Sequence, residues 1–278
     1  MSTISEKLSS IARWISLSVR IGFYLGATLF EKIRLAFFLF TARVPGFNHG
    51  AYKTFHIRIE QKNADIAIRR LAADVHILSE ILVDRWYDKG LPKVAPGIIF
   101  DVGANIGIVT LYMKLRYPDA VVYAFEPDPA SFAVLEHNIK SLKNVKAFNV
   151  GLWNKQDTLM FHRSKHFDTR NSFILKEGDS TTISVPVITY ADALALAGVD
   201  VVDFMKFDIE GAEVELFSGI AHTTLRSFFG ELHPALRTPA VMRDILATLE
   251  RDYRLEVEEG SDAIWHVSGT SASTGHSA

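Results

Sequence analysis

Residues 101–107 read Asp-Val-Gly-Ala-Asn-Ile-Gly, at the point where a short apolar stretch gives way to a helical one. Gly103 permits a sharp turn without a Cβ clash, and Gly107 lets a helix approach a strand closely, so a ligand can rest against bare backbone. Glu126, in Phe125-Glu126-Pro127-Asp128, follows about 20 positions later, where an acidic side chain can take both hydroxyls of a ribose. Nicotinamide and S-adenosyl cofactors share that ribose. They differ at the loop: a pyrophosphate needs G-x-G-x-x-G at a helix N-terminus, and Asn105 stands at the second glycine of that pattern, which argues against a dinucleotide. Asn105 offers a donor and an acceptor to a zwitterionic methionine moiety, and Asp101 an acceptor for its ammonium. As an ordinary alternative, Asn105 caps the following helix.

A second constellation comprises Asp208-Ile209-Glu210-Gly211-Ala212-Glu213 and His233. The strand expected over 201–207 delivers Asp208 and Glu210 to the same sheet edge as the glycine loop. Glu213 follows about one helical turn later, and His233 ends the next strand. Carboxylates and an imidazole at one edge suit general acid–base work on a bound ligand. Asp208 is the first candidate for base or acceptor-orienting group; His233, which titrates near neutrality, is the second, and Glu210 stands beside them. Glu210 and Glu213 can instead cap a helix beginning at Gly211, where the macrodipole favours carboxylates. An all-oxygen cluster can hold Mg²⁺, but no His-rich metal spacing accompanies it, and no metal is expected. His162, Arg163, Lys165, His166, Arg170 and Asn171 fit either contact with an acceptor glycan or its phosphate, or a solvated polar loop.

Positioning these groups takes an α/β sheet. Strand-like 98–102, helical 106–116, strand-like 121–125, helical 130–141 and strand-like 145–150 make a βαβαβ unit. The strands are short, rich in Val, Ile and Phe, and do not alternate, as expected of a parallel sheet buried on both faces. Residues 157–186 interrupt with polar, hairpin-like sequence. A helix over 190–197 and strands over 201–207 and 227–232 resume the rhythm. Segments 253–257 and 263–267, flanking Glu259-Gly260-Ser261-Asp262, read as a hairpin closing the sheet. Residues 51–96 read as a helical lead-in, and 268–278, rich in Ser, Thr, Gly and Ala, as a disordered tail.

The formal net charge of −2 gives no electrostatic footprint for nucleic acid. Absence of cysteine excludes disulfides, thiolate nucleophiles and cysteine-ligated metals, and suits a reducing cytoplasm. Residues 1–50 read as a basic amphipathic helical extension: Ile4, Leu8, Ile11, Ile15 and Val19 recur at helical spacing among Lys7, Arg13 and Arg20. Charges break every apolar run before the roughly 20 residues needed to cross a bilayer, and no small-residue cleavage site follows. Residues 1–45 therefore either lie on an anionic membrane surface as a peripheral anchor or pack on the protein or a partner.

Four stretches together resemble the FkbM-type S-adenosylmethionine-dependent methyltransferases. They are Ile-Phe-Asp-Val-Gly-Ala-Asn-Ile-Gly at 99–107, Ala-Phe-Glu-Pro at 124–127, Asp-Phe-Met-Lys-Phe-Asp-Ile-Glu-Gly-Ala-Glu at 203–213 and Gly-Glu-Leu-His-Pro at 230–234. The resemblance spans roughly 77–266, leaves out the first fifty residues, and rests most specifically on the third stretch. It implies a Rossmann-like class I methyltransferase fold over 97–267, with a mostly parallel seven-stranded sheet and an antiparallel C-terminal hairpin. It also implies S-adenosylmethionine as cofactor, with Asp101, Gly103, Asn105, Gly107, Glu126 and Pro127 as its binding residues. The reaction implied is O-methylation of a small-molecule acceptor, of a sugar in a glycolipid, lipid-linked sugar or surface glycan, or of a secondary metabolite. Two rivals remain: a nicotinamide-dependent oxidoreductase, which Asn105 and the lack of a Tyr-x-x-x-Lys pair disfavour, and a membrane-associated scaffold that keeps the fold without turnover.

Overall fold

The computed structural model describes residues 4–44, 52–164, 172–173, 180–259 and 264–272. The chain divides between Asp88 and Lys89 into two compact units. In the first, α1 (Ile4–Leu25) and α2 (Leu29–Phe40) form an antiparallel hairpin. Thr28 caps α2 by accepting from the Glu31 amide at 3.2 Å, a contact worth about 1 kcal/mol. The two helices approach so closely at Gly22 that a Cβ there would stand 2.7 Å from the Ala36 Cβ. Trp14 Nε1 donates to the Phe40 carbonyl at 3.0 Å, and Ile21, Leu25, Leu35 and Leu39 are buried.

The expected helical lead-in is overturned over its first half. Strands β1 (Tyr52–Ile59) and β2 (Lys62–Arg69) pair antiparallel there. Phe55, Ile57 and Ile59 are buried at every second position of β1, the period of a strand and not of a helix. Their turn is made by Glu60 and Gln61, both at positive φ, where hairpins ordinarily use Asn-Gly or a similar pair. The helix resumes at α3 (Ala72–Leu78), where fully buried Asp74 pairs with Arg69 at 2.7 Å.

The second unit is built on a seven-stranded sheet. Its strands are β3 (Ile98–Val102), β4 (Val121–Phe125), β5 (Val145–Phe148), β9 (Phe204–Phe207), β10 (Ser227–Leu232), β11 (Tyr253–Glu259) and β12 (Trp265–Ser271). The spatial order is β11-β12-β10-β9-β3-β4-β5. β5 to β10 run parallel, while β12 is antiparallel to both neighbours, so the expected Rossmann-like sheet with its antiparallel hairpin is what forms. Helices α4 (Ile108–Arg116), α5 (Pro129–Ile139), α6 (Tyr190–Ala197), α7 (Glu213–Ser218) and α8 (Pro239–Leu249) connect the strands. Asp128 caps α5 ahead of a proline at its start, and Thr189 with Asp192 forms a capping box on α6. Phe100, Phe125, Phe207 and Phe228 are fully buried in the core.

Between β5 and α6, β6 (Gly151–Leu152), β7 (Asp157–Ser164) and β8 (Ser180–Ile188) form a separate three-stranded sheet, which accounts for the hairpin-like interruption. Two boundaries move. The unit begins before residue 97, for the Tyr117 hydroxyl donates to the Pro92 carbonyl at 2.7 Å. The expected tail begins later, because Ser268 pairs with Phe229 and Thr270 with Ser227 in β12. A Cβ at Gly269 would lie 2.3 Å from the Phe228 ring; small residues there make room for an aromatic core and do not signal disorder. Residues 260–263 and 273–278 lie outside the described residues. Among the described residues no helix is long and apolar enough to cross a membrane.

The chain proceeds from β3 outward to β4 and β5, then returns to the other side of β3 as β9. Strand order thus reverses between β3 and β9, and the crevice outside their carboxyl ends is where open α/β sheets bind ligands.

Candidate active site

Gly103 follows β3 with φ +75°, and a Cβ built there would stand 1.9 Å from the Asp208 carbonyl oxygen. The loop after β3 and the loop after β9 therefore touch at the switch point, and the two constellations found in sequence meet there. Gly107 has φ +83°, with a would-be Cβ 2.6 Å from Leu135 Cδ1, so its missing side chain lets α4 pack against α5. Gly107, not Asn105, occupies the cap position of α4, which overturns the capping alternative for Asn105. Asn105 instead sits in left-handed backbone, φ +50°, and its amide donates to Glu126 Oε2 at 2.8 Å. The other carboxylate oxygen of Glu126 accepts from the Asp128 amide, also at 2.8 Å. Asn149 Nδ2 donates to the carbonyls of Glu126 and Pro127 at 2.8 and 3.1 Å. Glu126 thus joins the loops after β3 and β4 while remaining 5% exposed at the crevice.

Asp101 departs from its expected place. It is fully buried, accepts from Thr110 Oγ1 at 2.5 Å and faces Lys206 Nζ at 3.3 Å. Lys206 also donates to the Gly103 carbonyl at 2.7 Å. Asp101 and Lys206 are register partners on β3 and β9, so the carboxylate expected to meet a ligand ammonium meets a lysine and holds the loop from beneath. Removing one partner of such a buried pair costs about 3–5 kcal/mol.

At the other side, His233 Nδ1 lies 2.6 Å from Glu213 Oε1. Glu213 is fully buried and the same oxygen accepts from the Gly211 amide at 2.9 Å; it serves the chain entering α7 and orients the imidazole at once. α7 starts at Glu213, not Gly211. Glu210, expected to cap it, has φ +48°, and its carbonyl accepts from Ser172 Oγ at 2.5 Å. His233 Nε2 points toward carboxylates, 3.8 Å from Asp208 Oδ1, 3.9 Å from Glu210 Oε2 and 3.9 Å from Glu231 Oε2. Asp208, Glu210 and His233 each bring one atom within 4.8 Å of the others. The imidazole departs from the all-oxygen set that Mg²⁺ favours, so this geometry lends that ion no support.

Charge is concentrated here and shifts the titrations. Burial pushes the Asp208 carboxyl up to about 7, with the Glu231 charge adding and Lys206 and His233 opposing. For His233, burial alone would lower the value, but the hydrogen bond and charge of Glu213, with Glu210 and Asp208, push it up to about 10. Glu231 is raised by burial but more strongly lowered by His266, whose Nε2 stands 3.7 Å from its Oε1, and by the charges of His233 and Lys206. His233 is therefore an imidazolium at neutral pH, and the folded protein retains a proton that the unfolded chain releases near 6.5. Its stabilising contribution is complete below that pH and disappears as pH rises toward about 10. Thermal melts over this window should show falling Tm, and a flatter fall in Glu213→Gln; identical profiles for the two proteins would remove Glu213 as the source.

Sequence reasoning missed Lys206, Thr110, Glu231 and His266. Lys206 had a visible signal, a lone charge inside Phe204-Met205-Lys206-Phe207. Glu231 and His266 are opposed across β10 and β12, a pairing that sequence order does not display. Arg163 donates to Asp128, the cap of α5, and His162 lies in β7 with its amide bonded to the Ser172 carbonyl at 2.8 Å; Lys165, His166, Arg170 and Asn171 lie outside the described residues.

The family model of the methyltransferase FkbM domain matches residues 101–255, more than half of the chain. The chain belongs to the FkbM methyltransferase family. Methyltransferase sdnD of Sordaria araneosa is 30% identical over 186 residues, covering 55% of this chain and 71% of its own. The 31-O-demethyl-FK506 methyltransferase FkbM of Streptomyces tacrolimicus is 26% identical, covering 55% and 72%, and the 2-O-methyltransferase NoeI of Sinorhizobium fredii is 27% identical, covering 54% and 68%. A solved FkbM methyltransferase from Methylobacillus flagellatus aligns with TM-score 0.49 at 14% identity, covering 94% of this chain and 60% of that one. The matched FkbM domain contains both the glycine loop and the Asp208–His233 cluster, and leaves the oxidoreductase alternative without support.

Proposed function

We propose that this FkbM-family protein is an S-adenosylmethionine-dependent O-methyltransferase acting on a hydroxyl of a sugar, of a glycolipid, lipid-linked sugar or surface glycan, or of a secondary metabolite. The observation that carries the reading is the contact between Gly103 and the Asp208 carbonyl, which sets an adenosyl-type cradle beside a proton-accepting cluster. Two relatives whose names specify an oxygen as the methylated atom support the hydroxyl.

The cradle fits the cofactor. Glu126 would accept from the ribose hydroxyls with lone pairs beyond those committed to the two amides, Asn105 would meet the methionine moiety, and Gly103, Gly107 and Pro127 would shape the backbone around it. When bound, S-adenosylmethionine supplies a methyl carbon activated by a sulfonium. Asp208 takes the acceptor's hydroxyl proton. His233, cationic and fixed by Glu213, stabilises the negative charge developing on the acceptor oxygen. A cytoplasmic location suits a chain without cysteine.

Titration calorimetry should show binding of S-adenosylmethionine and none of a nicotinamide dinucleotide. Labelled methyl should pass from S-adenosylmethionine to hydroxyl-bearing acceptors, and mass spectrometry of glycans, glycolipids and metabolites made with and without the protein should differ by a methyl-sized increment. Cofactor binding with no transfer to any of these pools would favour the scaffold reading; no cofactor binding would overturn both.

A further inference from the structure

The α1–α2 hairpin carries two apolar surfaces. One is consumed internally: Trp14, Ile21, Leu25, Leu35, Phe38 and Leu39 are buried. The other faces outward. Leu8, Ile11, Ile15, Val19 and Phe23 recur along α1, and Leu29, Phe30, Ile33 and Phe37 along α2, all between 44% and 72% exposed. The first set recurs at steps of three and four residues, and in the second Leu29, Ile33 and Phe37 are four apart with Phe30 beside them, so each set forms a single stripe. The helices are antiparallel and touch at Gly22 and Ala36, and each stripe lies to the same rotational side of that contact. In an antiparallel pair this puts both stripes on one side of the hairpin, where they form one continuous apolar face.

We infer that this face docks on an anionic phospholipid surface. Single exposed apolar residues on a protein are ordinary, but a contiguous sheet of them marks an interaction site. Charge selects the occupant. Residues 4–44 hold Lys7, Arg13, Arg20, Lys32, Arg34 and Arg43 against Glu6 and Glu31, within a chain of formal net charge −2; Arg20 pairs with Asp84 and Arg34 with Glu31, so the surplus rests on Lys7, Arg13, Lys32 and Arg43 against Glu6. A second copy would bring the same excess of positive charge against it, whereas anionic headgroups neutralise it. Lys7 is exposed beside the stripe, with Ser5, Ser9 and Ser16 along its border, while Arg13 is exposed on the far side of α1, a profile that puts polar residues at the margin of an apolar face in the headgroup boundary. Since no described helix can span a bilayer, the hairpin lies on the surface. This inference stands independently of the reaction.

The full chain is mixed with vesicles of phosphatidylcholine alone and with vesicles of phosphatidylcholine and phosphatidylglycerol in equal parts, then sedimented. It should pellet with the second and not the first, and rising salt should release it by screening. Ile15→Glu with Phe37→Glu changes only exposed positions, so circular dichroism should match the parent while partitioning falls at least about tenfold. The proposal is overturned if the parent stays in the supernatant with both vesicles, or if the double variant pellets as well as the parent. It is also overturned if, without lipid, sedimentation equilibrium gives a dimer for the parent and a monomer for the variant, since the face would then join two copies.

Discussion

Asp208→Asn should lower kcat by about 10²–10⁴ while S-adenosylmethionine affinity stays near that of the parent. The replacement has the same shape and cannot accept a proton, and the Gly103 neighbour is the backbone carbonyl of residue 208, which survives the change. The pH profile supplies a second reading. With the carboxyl pushed up to about 7 by burial, the base form is the minor species below that pH, so the parent's rate should climb as pH rises toward neutrality and level off above it. His233 cannot share this duty at neutral pH, because its surroundings keep it protonated. Full turnover by Asp208→Asn, together with collapse in His233→Ala, would reverse the two roles.

Glu126→Gln should weaken S-adenosylmethionine binding by about 1.5–3 kcal/mol for each charged hydrogen bond lost, roughly ten- to a hundredfold or more in Kd. The amide that replaces one oxygen would also point its N–H₂ toward the amide of Asn105 or of Asp128, each of which now donates at 2.8 Å. Glu126→Ala should go further, since it leaves both amides without that partner and frees the loop after β3 from the loop after β4. Titration calorimetry reads the affinity, and the thermal midpoint separates the loss of a ligand contact from loss of the loop. Unchanged affinity in both variants would take Glu126 out of the site.

The βαβαβ frame was readable because its strands are buried on both faces and its turns need glycine: Gly103 and Gly107 both adopt positive φ. The β1–β2 hairpin was not, since Glu60 and Gln61 enter the left-handed region without the residues that ordinarily announce it. At the site, the chemistry-bearing residues stood out one by one, but their partnerships did not. Asp101 was assigned to a ligand because its neighbour across the sheet, Lys206, lies about a hundred positions away in the chain. Glu213 was read as a cap for the same reason: His233, which it also holds, arrives one strand later. Local patterns report turns and periodicity, whereas cross-strand register decides which buried charges neutralise one another.

The contact between Gly103 and the Asp208 carbonyl leaves no space for even a methyl group. The backbone after β3 therefore cannot close further on the backbone after β9, and any side chain at residue 103 would have to push the two loops apart. Under the proposed reaction, any factor by which a bound methyl donor changes acceptor affinity is returned by the acceptor to the donor. A single glycine, read in sequence as room for a ligand, also sets how near the loop after β3 stands to the loop after β9.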